Sequence, residues 1–69
     1  MGFYVVNINT TERIIYNAVP GGLEWVTIRE VAKETGYSRT TVLRALRRLH
    51  KLQMIHRDTS EMPYKWTRR

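Results

Sequence analysis

The chain has 69 residues, so it holds one small domain at most, and such a domain buries only about 60% of the surface of its unfolded form. A core that thin leaves little room for an enclosed catalytic pocket, and the lack of cysteine excludes disulfides and thiolate metal sites. A formal net charge of +6 suits either a negatively charged partner or a generally solubilising surface.

The opening "MGFYVVNINTTE" has neither the basic start nor the long apolar run of a signal peptide. Nothing in the chain approaches the ~20 apolar residues that span a bilayer, so a soluble, cytoplasmic protein with no membrane partner is expected. "FYVVNI" is β-branched and aromatic and fits a short strand within residues 1–8. "NTTERIIYNAV" follows as a helix that Asn9, Thr10 or Thr11 can cap, with Glu12 suited to its positive end. Its apolar stripe is Ile14, Ile15, Ala18 and Val19, and "PGG" at 20–22 ends it. "LEWVTI" is a short strand with Trp25 as the expected core anchor.

In "TIREVAKETG", Thr27 and Glu30 have the spacing of a capping box for a helix over 28–35, and Gly36 suits a left-handed helix end. Ser38 caps a second helix, over 38–52, after only a tight turn. Its apolar residues Val42, Ala45, Leu46 and Leu49 repeat at the spacing of one buried stripe. "MIHR" and "YKWT", separated by turn residues, read as a hairpin over 54–67 with Trp66 pinning it to the core. Pro63 belongs to the loop or an edge strand.

Two helices joined by a tight, glycine-containing turn make a helix-turn-helix, and a hairpin after it is a wing. The predicted fold class is therefore α+β: a single winged helix-turn-helix domain over 1–69, with three helices and a C-terminal hairpin. "TIREVAKETGYSRTTVLRALRRLHKLQMI" looks like the helix-turn-helix of winged-helix transcription regulators. "SRTTVLRAL" resembles the start of the recognition helix in GntR-type regulators. That family usually has a glycine between the recognition helix and the next strand, where this chain has Gln53, and no large effector-binding domain follows here. So short a chain is also similar to small repressors and other regulators encoded by viruses, phages or mobile elements.

Charge supports a directed surface. Residues 1–35 hold three basic groups against four acidic ones; residues 36–69 hold nine against two. Opposite Val42, at ~100° per residue, Thr40, Arg44, Arg47 and Lys51 share a narrow arc flanked by Arg48, with Leu43 at its border. No acidic residue lies between Thr35 and Arg57, so Arg44–Arg48 and Arg47–Lys51 are like-charge neighbours that phosphates would satisfy. In a helix-turn-helix the start of the second helix reaches base edges, which puts Arg39, Thr40, Thr41 and Arg44 nearest double-stranded DNA. Arginine pairs with guanine, and a threonine methyl packs on a thymine methyl. Ser38 caps and can also meet phosphate. Tyr37 can donate to a phosphate or sit partly buried in the turn. The resemblance implies that basic wing residues, here Arg57, Lys65, Arg68 and Arg69, meet the backbone or minor groove.

No cofactor, metal, small-molecule effector or catalytic constellation is expected. His50 and His56 change element and lack a neighbouring cysteine. Ser38 and Ser60 lack a matching histidine and aspartate, and the glutamates suit helix ends and solvent. The chain reads as a non-enzymatic, sequence-specific regulator, expected to dimerise through the N-terminal strand and the first helix with Tyr16. Two alternatives stand. One is a winged-helix protein adaptor. The other rests on "MPYKW", which is similar to the wing of left-handed-DNA-binding Zα domains; those also need an Asn and a Tyr on the recognition helix, where this chain has Leu43 and Arg47.

Overall fold

A computed structural model describes residues 7–69, so six of the eight residues of the expected N-terminal strand lie outside the described part. Helix α1 spans Thr10–Ala18. Of the three candidate caps, Asn9 serves. Its side-chain oxygen accepts from the Glu12 N–H at 2.7 Å, and its own N–H donates to the Glu12 carboxylate at 2.9 Å. This reciprocal box satisfies two of the helix-start donors that would otherwise be orphaned.

Strand β1 is only Val26–Thr27, because Thr27 is already the cap of α2, Ile28–Thr35. The Thr27–Glu30 box forms as its spacing predicts. Gly36 closes α2 at φ 79°, a left-handed backbone that a Cβ would strain. Tyr37 and Ser38 complete the turn, and α3 runs Arg39–Lys51. Its exit is a Schellman motif: Met54 N–H donates to Leu49 C=O and Gln53 N–H to His50 C=O. Gln53 holds the left-handed position at φ 60°, where a glycine is the usual choice. Strands β2, Ile55–Asp58, and β3, Lys65–Arg68, form the hairpin.

The sheet is antiparallel with order β1-β3-β2, Val26 opposite Trp66 and Arg57 opposite Trp66 on the other side. Three helices and this sheet make a small α+β winged helix-turn-helix. The core is Ile15 and Val19 from the α1 segment, Val31 of α2, Val42, Ala45, Leu46 and Leu49 of α3, and Ile55 and Trp66 of the hairpin. The Thr67 hydroxyl reaches both Pro20 C=O, 2.9 Å, and Glu24 C=O, 2.6 Å, and so pins the loop after α1 to β3.

Two expected core residues are placed otherwise. Trp25 is 40% exposed. Cross-strand partners share a face, so Val26 opposite Trp66 turns inward and the alternation turns Trp25 outward. Trp66 is fully buried, as expected, and anchors the hairpin in the core. On α1, Ile14 is exposed and Ala18 half-buried; the inward line is Glu12, Ile15 and Val19, at helical spacing.

Candidate nucleic-acid interface

The site starts at the cap of α3. Ser38 Oγ accepts from the Thr41 N–H at 3.2 Å and lies 3.0 Å from the Thr41 hydroxyl, so these two side chains hold each other and fix the first turn. Arg39, Thr40, Arg44, Arg47 and Lys51 are exposed, while Val42, Ala45, Leu46 and Leu49 anchor the opposite side in the core. None of the four cations in this outward set forms an ion pair among the described residues. At 1.5 Å per residue, Thr40 to Lys51 covers on the order of 16 Å of helix, a rigid cationic ridge.

Arg48 is placed differently. Its Nε lies 2.8 Å from the Glu12 carboxylate, and its terminal nitrogen donates to Asn7 C=O at 2.8 Å. Glu12 is only 5% exposed, so this is a nearly buried anion whose cation arrives from the neighbouring helix. The sequence reading put Arg48 beside the cationic arc and gave its repulsion from Arg44 to phosphate; a carboxylate 36 positions earlier in the chain supplies the counter-charge. Tyr37 is half-buried against the core, and its backbone N–H donates to the Thr35 hydroxyl at 3.3 Å.

The wing's cations also divide. The Arg57 guanidinium lies 5.7 Å from the centre of the Trp66 ring, and His50 of α3 meets that ring edge-on at 6.2 Å. This stack sets the base of the wing against the C-terminal half of α3. Lys65 is exposed at the start of β3, opposite Asp58. Two hydrogen bonds from Ser60, with Lys65 adding to them, hold the Asp58 carboxyl below its ordinary value. Arg68, by contrast, lies 5.5 Å from the Tyr16 ring of α1, with its Nε buried and unpartnered among the described residues. It belongs to the seam between sheet and α1. Tyr16, expected to be free for a second copy, is half-buried there. Arg69 is exposed, and its N–H donates to Met54 C=O at 3.3 Å.

Between the start of α2, the start of α3 and the loop of the wing lies an open groove of about 500 Å³. Ile28, Leu43 and Tyr64 give it apolar walls, and Arg29 and Arg39 stand at its rim. The sequence reading missed Arg29 and the wing residues Met62 and Pro63. The signal for Arg29 was its position, second in α2 and two residues past the cap, at the helix start that lines the groove with the start of α3.

Among the described residues, no group of three histidine, cysteine or acidic side chains is placed to hold a metal ion, and no helix is long and apolar enough to cross a membrane. A family model, the IclR helix-turn-helix domain, matches residues 19–59, more than half of the chain and the stretch that carries β1, α2, α3 and β2. No curated protein and no solved structure matches the chain.

Proposed function

The chain belongs to the IclR-type helix-turn-helix family of winged DNA-binding transcription regulators, and from that premise we propose that it reads specific double-stranded DNA with α3 in the major groove. The carrying observation is the outward ridge of Arg39, Arg44, Arg47 and Lys51, four cations with no ion-pair partner among the described residues on a helix whose other side is locked in the core. Arg39, Thr40, Thr41 and Arg44, at the end of α3 that such folds insert, take the base edges; Arg47 and Lys51 take flanking phosphates. Arg57, Lys65 and Arg69 add phosphate contacts from the wing and the end of the chain. Arg48 and Arg68 are held by Glu12 and Tyr16 and serve the fold. The likeness of Ser38–Leu46 to GntR-type recognition helices is a likeness of that segment; the family match is IclR-type.

One such helix reads only a few base pairs, so the proposal includes a homodimer spanning two half-sites about one helical turn apart, with N-terminal elements as its contact. Selection of duplexes from a random pool tests both parts. Enrichment of a palindrome supports sequence reading by a dimer. Enrichment of a single half-site supports a monomer. With about five to seven phosphates neutralised, affinity falls with salt at a log–log slope of about −4 to −6. Absence of duplex binding even at low salt would remove the nucleic-acid reading and leave the protein adaptor.

A further inference from the structure

The loop of the wing has the wrong charge for a phosphate clamp. Between Asp58 and Lys65 there is no lysine or arginine, and Glu61 is the only charged side chain. The Asp58 carboxylate accepts from both the N–H and the hydroxyl of Ser60, at 2.9 and 2.7 Å, which folds the first half of the loop back on its strand. Beyond that fold Met62 is 78% exposed, an apolar side chain with almost no packing of its own. Pro63 and Tyr64 follow it and line the groove facing Arg39 and Thr40. The apolar tip and the base-reading start of α3 thus stand on opposite walls of one cleft.

We propose that the tip of the wing is an apolar wedge: Met62, stiffened by Pro63, enters the minor groove of the duplex that α3 reads, parts a base step there and bends the DNA. This rests on the DNA-reading function proposed above. The occupant follows from the charge at the cleft: Arg29 and Arg39 at its rim suit a phosphate strand lying along it, between α3 and the tip of the wing. Methionine and proline are among the side chains that act as wedges, and they part flexible steps such as TA and CA/TG most easily. The wing then contributes specificity through deformability, with cations only at its base.

The test uses the full chain and a duplex recovered from the random pool, with 2-aminopurine walked through the site and its flanks. Anisotropy reports binding and 2-aminopurine fluorescence reports unstacking, on the same samples. The expected result is a fluorescence rise at one flanking step. Met62→Gln, of similar shape but polar, abolishes that rise and weakens binding roughly three- to tenfold, while Met62→Leu keeps both. Met62 is so exposed that neither variant disturbs folding. Binding with no rise at any step, or an undiminished rise with Met62→Gln, overturns the wedge and leaves DNA reading intact. Absence of binding in every duplex at low salt overturns both.

Discussion

The two flanks of α3 carry the same residue types and are used in opposite ways. On the outward flank, Arg44 and Arg47 stand in solvent with no ion pair among the described residues. On the flank facing α1, Arg48 closes onto a carboxylate that is nearly out of water. Arg44 and Arg48 are one helical turn apart, and nothing in their immediate sequence separates them. What separates them is that Arg48 has a counter-charge folded in, whereas Arg44 has none among the described residues. A run of arginines on a helix is therefore an upper bound on its binding surface. In this protein α1 takes one of them for the fold.

This contrast is broken most strongly at Arg48. Arg48→Ala leaves the nearly buried Glu12 without its cation, and because the Arg48 side chain is itself half-exposed a loss of about 2 kcal/mol in unfolding free energy is expected by denaturant titration. A loss below about 0.5 kcal/mol would show that the pair does not hold α1 to α3. Arg44→Ala is the mirror case. It is expected to leave stability within about 0.5 kcal/mol and to lower affinity for the preferred duplex by roughly 1–3 kcal/mol, with relaxed preference at one base pair. An unchanged ratio of specific to random binding would take Arg44 off the base edges.

A smaller effect is expected where α3 ends. Gln53→Gly removes the left-handed strain at φ 60°, partly offset by the greater freedom of glycine in the unfolded chain. The net gain is about 0.5–1 kcal/mol, read from the denaturation midpoint; a loss would mean that the Gln53 side chain makes a compensating contact. The smallest effect is at Asp58. Its folded carboxyl titrates below the ordinary 3.8, so its contribution to stability is present above that value and fades as pH falls through the folded value. Carboxyl NMR titration should place its midpoint below 3.8, and Ser60→Ala should move it back up.

The helix-turn-helix was legible in the sequence because its determinants are local. The Thr27–Glu30 box, Gly36 at the turn, Ser38 as cap and the stripe from Val42 to Leu49 each act within a few residues, and the structure shows all of them. The family match covers the same stretch. What escaped depended on distance. The partner of Arg48 is 36 positions away, on an inward face of α1 of which Ile15 and Val19 were expected and Glu12 was not. The outward turn of Trp25 depended on the parity of a two-residue strand, which only its pairing with β3 fixes. The groove by the wing joins three separate segments and leaves no periodic trace. Arg68 lies in the wing hairpin as expected, at the end of β3, but its place over Tyr16 of α1 has no local signal in the sequence.

The contrast between the two flanks is tested most directly by the salt dependence of DNA binding in two variants. Arg47→Ala removes an outward cation. The pair Glu12→Gln with Arg48→Gln removes the inward ion pair together, and glutamine can still serve the capping box, so the fold is kept. If the outward flank meets phosphate and the inward one does not, Arg47→Ala makes the log–log slope shallower by about 0.9, and the double variant keeps the slope of the parent protein. A double variant that loses about 0.9 of slope, beside an Arg47→Ala that loses none, would contradict the assignment of both flanks.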